Sequence, residues 1–79
     1  MEAFDIKVAL TTTGYTTLKV LPFKYITDVS TAAYYLFLDY VEVGAICIGD
    51  EYSWVSFVEL LWCRDDIERI GYQIERHRS

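Results

Sequence analysis

The chain has few of the residues on which metal and nucleophilic chemistry depend. Its 79 residues include two cysteines and a single histidine. Cys47 and Cys63 form no CxxC pair, so the short Cys/His spacings of a four-ligand zinc site are missing. His77 lies near the end of the sequence, and no serine or cysteine stands in a nucleophile-elbow motif. The sequence therefore predicts no metal, no cofactor and no catalytic residue, and hence a protein that is not an enzyme.

Cys63 is the one residue for which a reactive role is considered. It directly precedes a predicted helix and neighbours Arg64, and both features are typical of reactive thiols. The alternative interpretation is a small buried apolar residue, which is the commoner role of a free cysteine.

Glycine and basic residues are also scarce. The four glycines make neither a GxGxxG nor a GxxxxGK pattern, which excludes the common phosphate-binding loops. The net charge is −5, and residues 25–63 contain no lysine or arginine. A chain with this balance is repelled by phosphates and attracted to basic surfaces. We therefore expect no direct nucleic-acid binding, no membrane binding, and a protein partner with a basic surface.

Long apolar runs are missing as well. The most apolar window, residues 29–48, is interrupted by Asp39 and Glu42, so it does not read as a membrane-spanning helix. The N-terminal stretch "MEAFDIKVAL" lacks the basic and apolar regions of a signal peptide. A chain of this length suits one domain with a small core. We expect a single cytoplasmic domain, residues 1–79, with reduced thiols.

What the sequence has in abundance is aromatic side chains, which make up 16% of the chain. Residues 34–62, "YYLFLDYVEVGAICIGDEYSWVSFVELLW", hold both tryptophans, and their only charged residues are acids. In a small domain such rings fill the core, since each can bury ~150–250 Å². On a surface, rings anchor a partner while surrounding acids steer a basic one towards them. Both explanations stay open at this point.

Two strands are predicted at the start of the chain. Residues 3–10 alternate apolar and charged residues, and residues 15–23 are rich in β-branched and aromatic ones. Gly14, after three threonines, suits the end of a hairpin turn because glycine readily takes positive φ. Pro22 donates no hydrogen bond to a sheet, so the second strand is expected to end near it or to lie at an edge.

The next segment, residues 27–44, is predicted to form a helix. Its apolar residues fall at helical spacing on one stripe, and Gly44 is a plausible end. An N-cap oxygen could come from Thr27, Asp28 or Ser30. The stripe consists of Val29, Ala32, Ala33, Leu36, Phe37 and Tyr40.

The second half repeats this order of elements. Residues 45–49 are a candidate buried strand, residues 49–51 a turn, and residues 52–62 a strand, which we favour over a helix. A closing helix is predicted with Asp65 as N-cap and Glu68 completing a capping box. Its apolar stripe includes Gly71, which allows close approach to the sheet, a role that alanine would fill nearly as well. The last turn is basic, as the helix dipole favours.

The predicted fold is therefore α+β, a ββαββα two-layer sandwich. It has a four-stranded antiparallel sheet with two helices on one face. The other face of the sheet is open and still carries rings, so we expect another chain to cover part of it, with a homodimer as one possibility.

Two acidic-aromatic surfaces are candidate binding sites for a protein partner. The first lies on the flank of the predicted helix 27–44 and the second at the hairpin around residues 49–54. The predicted partner-binding residues are Tyr34, Tyr35, Asp39 and Glu42 in the first, and Asp50, Glu51, Tyr52 and Trp54 in the second.

The stretches "YYLFLDYVE" and "GDEYSW" carry a resemblance at the level of a class. Short, acidic, aromatic-rich α+β chains without catalytic residues resemble phage-encoded inhibitors of host machinery, including anti-CRISPR proteins. Antitoxins and nuclease-immunity proteins look similar for the same physical reason. The resemblance implies a non-enzymatic inhibitor whose acidic-aromatic surface blocks a basic nucleic-acid-binding surface of a host protein. The alternative is a small structural protein that assembles into a homo-oligomer.

Overall fold

The computed structural model describes residues 2–23 and 32–78. Over these residues the chain forms one five-stranded antiparallel sheet, in which each strand pairs with the next, followed by a C-terminal helix. The α+β class is confirmed, whereas the predicted four strands and two helices are wrong in number and order. The elements are β1 (Phe4–Leu10), β2 (Gly14–Pro22), β3 (Ala32–Leu38), β4 (Val41–Ile48), β5 (Tyr52–Ser56) and α1 (Arg64–Arg78).

The first hairpin follows the predicted pattern. Buried and exposed residues alternate along β1, and β2 pairs with it in antiparallel register. Gly14 has a φ of 71°, the positive value that was expected of it at the end of the turn. β2 ends at Pro22, as predicted, although the backbone N–H of the next residue, Phe23, still donates a hydrogen bond to the carbonyl of Ala33, at 2.9 Å.

The helix predicted over residues 27–44 is wrong where the structure describes it. Residues 32–44 lie in β3 and β4, joined by a two-residue turn at Asp39 and Tyr40; residues 27–31, with the predicted caps, lie outside the described residues. The prediction failed because the segment is apolar on both faces of the sheet. Leu36 points to the core and Phe37 to the opposite face. Because nearly every residue in this run is apolar, the spacing of its apolar residues fits both a strand, with a period of 2, and a helix, with a period of 3.6. Gly44 lies inside β4 and ends no helix.

The second half of the sheet is shorter than predicted. The candidate strand at residues 45–49 is the end of β4, the turn at residues 49–51 is confirmed, and β5 covers only residues 52–56 of the predicted 52–62. After β5 the backbone of Phe57 still donates a hydrogen bond to the carbonyl of Val43, at 2.9 Å. Residues 57–63 then lead to α1 without regular secondary structure.

A β-bulge in β4 decides which side chains face which way. Leu36 pairs with Gly44 and Phe37 with Glu42, so Val43 is the extra residue. Val43 is buried in the core at 3% exposure, and Glu42 is exposed beside Phe37. In a regular strand the two residues would exchange faces, and the carboxylate would point into the core.

The helix α1 covers one face of the sheet and contacts β1, β4 and β5. Its predicted apolar stripe is confirmed, since Ile67, Ile70 and Ile74 are buried. These side chains pack with the inward residues of all five strands into one core cluster. Burying such aliphatic side chains stabilises the fold by ~1.5–3 kcal/mol each before the entropy cost of ordering the chain.

The start of α1 differs from the predicted cap. The carbonyl of Cys63 accepts the first helical hydrogen bond, from the backbone N–H of Ile67 at 3.2 Å. The carboxylate of Asp66 reaches back to the backbone N–H of Cys63 at 3.1 Å. Cys63 is therefore the N-cap and Asp66 closes the capping box, in place of the predicted Asp65 and Glu68.

Two glycines mark close contacts on the helix-covered face. A Cβ at Gly44 would lie 2.4 Å from both the Trp54 ring and the carbonyl oxygen of Val55. A Cβ at Gly71 would lie 2.8 Å from the ring of Tyr52. The expected close approach of Gly71 to the sheet is confirmed, but alanine would not fill the same role, because the ring occupies the space.

Candidate protein-binding surfaces

Three segments of the chain meet at one end of the sheet. They are the β1–β2 turn, the β3–β4 turn and the segment after β5, and they line a groove of about 610 Å³. Tyr15 and Leu61, each 80% exposed, lie at this groove together with Asp39 and Glu59. Tyr40 follows Asp39 directly and is 97% exposed. We call Tyr15, Asp39, Tyr40, Glu59 and Leu61 the turn-end surface.

Tyr40 is held in an unusual backbone conformation. Its φ is 68° and that of Asp39 is 51°. Positive φ at both residues of a two-residue hairpin turn matches the twist of the flanking strands, which is why Asp-Gly and Asn-Gly are preferred there. A tyrosine in that position costs stability relative to glycine, because its Cβ crowds the following carbonyl. The chain thus places a large, fully exposed ring where a glycine would fold more easily.

The charge of the turn-end surface has one sign. Its groove is lined by the carboxylates of Asp39 and Glu59, and no lysine, arginine or histidine is among the described residues that line it. Threonines supply most of the remaining polar lining. The surface therefore offers exposed rings and an aliphatic side chain with carboxylates among them, an arrangement that suits an apolar and basic counterpart.

A second surface is the sheet face that α1 leaves uncovered, which we call the open face. Side chains from all five strands point to it in cross-strand rows. Phe23 stacks on Tyr35 with 4.1 Å between ring centroids, and Tyr35 lies 6.5 Å from Phe57. The residues of the open face are Asp5, Lys7, Ala9, Tyr15, Thr17, Lys19, Leu21, Phe23, Ala33, Tyr35, Phe37, Glu42, Ala45, Cys47, Ser53, Val55 and Phe57.

Three of the predicted aromatic anchors belong to the other side of the sheet. Tyr34 is 2% exposed and lies in the core. Tyr52 and Trp54 pack against the core, where they contact Gly71 and Gly44 respectively. The rings of Trp54 and Trp62 lie 5.2 Å apart. For these residues the core explanation of the aromatic content holds.

The other predicted residues are exposed or half-buried, but they do not form one site. Tyr35 is half-buried on the open face, beside the row that contains Glu42. Asp39 belongs to the turn-end surface. Asp50 and Glu51 lie in the β4–β5 turn, which is at the opposite end of β4 from Asp39. The structure thus separates the eight residues into core, open face and two sheet ends.

The interpretation of the sequence missed Tyr15, Tyr40 and Leu61. Tyr40 was assigned to a helical stripe and Leu61 to a strand, and both assignments hid their exposure. The pair Asp39–Tyr40 between two β-rich runs was the available signal, because an aspartate begins many two-residue hairpin turns. The second residue of such turns is usually glycine, so a tyrosine there weakened the signal.

The titratable groups with altered pKa values have structural roles. A hydrogen bond from the Tyr52 hydroxyl to the Glu75 carboxylate, at 2.6 Å, raises the pKa of Tyr52 to about 12. Burial acts to raise the pKa of Asp66, but hydrogen bonds from Thr11 and Cys63 outweigh it and hold that pKa below 3.8. Within residues 2–23 and 32–78, no group of histidine, cysteine, aspartate or glutamate residues could hold a metal ion.

The residues considered for reactivity, Cys63 and His77, lie at the two ends of α1. Cys63 is exposed at the helix start, so the alternative of a buried apolar residue is wrong. His77, in the last turn of α1, stacks on Phe4 with ring centroids 3.9 Å apart. A single thiol and a stacked imidazole at opposite ends of a 15-residue helix make no catalytic pair.

Searches of protein-family models, of curated proteins and of solved structures found no significant match to this chain. None of the helices in the described part of the chain has the length and apolar character needed to cross a bilayer.

Proposed function

We propose that this protein is a cytoplasmic, non-enzymatic binding module that inhibits a partner protein by occupying a basic, nucleic-acid-binding surface. The turn-end surface makes the contact. The observation that carries the proposal is Tyr40, a 97% exposed ring in a backbone conformation that favours glycine, directly after Asp39, whose carboxylate lines one groove with Glu59. Strained, exposed residues cluster at functional sites, because the surrounding structure must hold them there.

The division of labour follows from the chemistry of the side chains. Tyr40, Tyr15 and Leu61 supply apolar contact area, which lowers the dissociation rate once they are buried in a partner. Asp39 and Glu59 raise the association rate with a basic partner through long-range attraction. A nucleic-acid-binding protein offers such a basic surface, and its substrate phosphates are what the carboxylates would replace. The resemblance to phage-encoded inhibitors, including anti-CRISPR proteins, supports the same mechanism.

The binding experiment compares isosteric charge removals at the two ends of the sheet. Immobilised protein is used to capture partners from a host-cell lysate, and a captured protein is then purified for binding kinetics. Asp39→Asn with Glu59→Gln should lower the association rate several-fold and weaken its dependence on salt. Asp50→Asn with Glu51→Gln removes the same charge at the other end and should change little.

The proposal also requires competition with nucleic acid. Single-stranded or duplex nucleic acid that binds the captured protein should displace the inhibitor, and the inhibitor should abolish nucleic-acid binding at saturation. Simultaneous binding of both, or an equal effect of the Asp50 and Glu51 changes, would contradict the assignment of the turn-end surface.

A further inference from the structure

We infer that the open face packs against the open face of a second copy of this chain, around a twofold axis that runs along β3. This inference does not depend on the proposed function, because its central contacts are made by Lys19, Phe37 and Glu42, none of which belongs to the turn-end surface. Tyr35 and Phe37 lie on β3 at the centre of that face, with Leu21 and Val55 on its two sides. Leu21 is 38% and Val55 58% exposed. Contiguous apolar surface of this kind on a small protein marks an interaction site.

The strand register makes the face complementary to itself. Lys19 pairs with Phe37, and Phe37 pairs with Glu42, so the three side chains form one row across β2, β3 and β4. A twofold axis along β3 exchanges β2 of one copy with β4 of the other at the same height. Phe37 then meets its twin on the axis, and Lys19 of each copy faces Glu42 of the other. Two identical ion pairs flank an aromatic centre, as an isologous interface requires.

The neighbouring row fits the same operation. Leu21, Tyr35 and Ala45 form that row, so Leu21 of one copy lies over the position of Ala45 in the other, where Ala45 itself is only 8% exposed. The axis direction also keeps the strands of the two sheets nearly aligned, which is the commonest way in which sheets pack face to face.

A groove on the open face lies beside Lys19. It has a volume of about 600 Å³, and its lining includes Lys19, Leu21 and Phe37. Asp5, Asp39 and Tyr40 line it too. Lys19 lies 3.9 Å from Asp5, but its side chain is 54% exposed and so can also reach Glu42 of the other copy. Lys7 adds a second positive charge on the β1–β2 half of the face, which leaves that half with a net charge opposite to that of Glu42.

The β-bulge at Val43 is what creates this complementarity. Without the extra residue, an apolar side chain would take the place of Glu42 beside Phe37, and the row would offer no acid to the partner's Lys19. The same axis leaves both turn-end surfaces of the dimer pointing in one direction. If the proposed function is correct, the dimer therefore presents two copies of that surface to a target, which raises affinity through avidity.

The decisive experiment is a charge exchange followed by sedimentation equilibrium on the full chain. Lys19→Glu and Glu42→Lys should each raise the dimer dissociation constant by at least about tenfold, because each creates two like-charge contacts. The double variant should recover most of the wild-type affinity, since the pairs are restored with exchanged signs. Lys7→Glu makes the same charge change on the same face, has no acid opposite in this geometry, and should have a much smaller effect.

Cross-linking tests the axis independently. In a Cys47→Ser, Cys63→Ser background, Ala33→Cys places a thiol on β3, and a short bismaleimide should join the two copies, whose packed sheets lie ~10 Å apart. Ser53→Cys, in the same row but on β5, should not be joined, because the axis carries it to the far edge of the partner.

Three outcomes would overturn the inference. They are a monomer at all concentrations, a double charge variant that dimerises no better than the single ones, and equal cross-linking from residues 33 and 53. Circular dichroism melts of each variant separate loss of the dimer from loss of the fold. Glu59→Gln, on the turn-end surface but outside the groove of Lys19, should leave dimerisation unchanged, which distinguishes a failure of this inference from a failure of the proposed function.

Discussion

The Asp66 carboxylate receives two hydrogen bonds from Thr11, one from its backbone N–H and one from its hydroxyl, both at 2.8 Å. Asp66 is completely buried, and Arg69 lies 3.3 Å from the same oxygen. Together with its bond to Cys63, this carboxylate ties the start of the C-terminal helix to the first hairpin turn, 55 residues away in sequence. The contact fixes where the helix begins on the sheet.

Removing the charge of Asp66 should destabilise the fold. Asp66→Asn is expected to lower the free energy of unfolding by about 1–3 kcal/mol, because hydrogen bonds to a charged group and a helix cap are weakened together. Asp65→Asn, in the same helical turn but exposed, is the matched control and should change it by less than about 0.5 kcal/mol. Urea denaturation at pH 7 measures both.

The same residue should make stability depend on acid pH. The pKa of Asp66 in the folded protein lies below its ordinary value of 3.8. A carboxyl group with a lowered folded-state pKa stabilises the fold above its unfolded-state pKa, and this contribution is lost as the pH falls through the folded-state value. The difference in unfolding free energy between wild type and Asp66→Asn should therefore shrink below pH 3.8. A difference that stays constant down to pH 2 would contradict the assignment.

Gly44 should tolerate no side chain. Gly44→Ala places a methyl group against the Trp54 ring and the Val55 carbonyl oxygen, and a backbone atom cannot move aside. We expect a loss of about 1–3 kcal/mol in unfolding free energy, typical of an overpacked core. Gly14→Asn is the control, since nothing lies within 4 Å of a Cβ there and asparagine accepts positive φ. Equal stability of the two variants in thermal melts would argue against the close packing of β4 on β5.

The hydrogen bond between Tyr52 and Glu75 should appear in alkaline titrations. Tyr52→Phe removes that bond and should cost about 0.5–1.5 kcal/mol at neutral pH. Because the folded-state pKa is raised to about 12 from 10.0, the contribution is fully present below pH 10.0 and is lost as the pH rises towards 12. Absorbance of the tyrosinate band should show one residue fewer titrating late in the variant. An unchanged late phase would show that another tyrosine carries it.

Replacing Tyr40 should change stability and partner binding in opposite directions. Tyr40→Gly removes the strain of a positive φ at the second turn residue. It also makes the unfolded chain more flexible, which offsets part of the gain in stability. The net effect should be a rise of about 0.5–1 kcal/mol in unfolding free energy, together with faster dissociation from the captured partner. Tyr72 lies in the helix α1, so Tyr72→Gly would not serve as a control. Tyr15→Thr keeps the strand propensity of β2 and tests whether the exposed ring of Tyr15 also contributes to binding. A variant that is more stable and binds as wild type would remove Tyr40 from the proposed surface.

The amino-acid sequence determined the parts of this protein that depend on local pattern. The alternation in β1, the glycine of the first turn, the stop at Pro22 and the amphipathic C-terminal helix all followed from spacing and backbone chemistry. The charge division was also readable, because residues 25–63 contain no base whatever their fold. The sequence also indicated that the uncovered face of the sheet carries aromatic side chains.

The tertiary structure alone decided the rest. Residues 32–44 suit a helix and a hairpin equally by period, and pairing with β2 and β5 selects the hairpin, since it buries both Leu36 and Val43 in the core. The same pairing sent Tyr34 to the core and its neighbour Tyr35 to the open face. Side-chain period alone could not locate the bulge at Val43, because a one-residue insertion becomes visible only against a partner strand. Strand register therefore decided which aromatic rings fill the core and which are exposed. Register is a property of two paired segments, so it cannot be read from either segment alone.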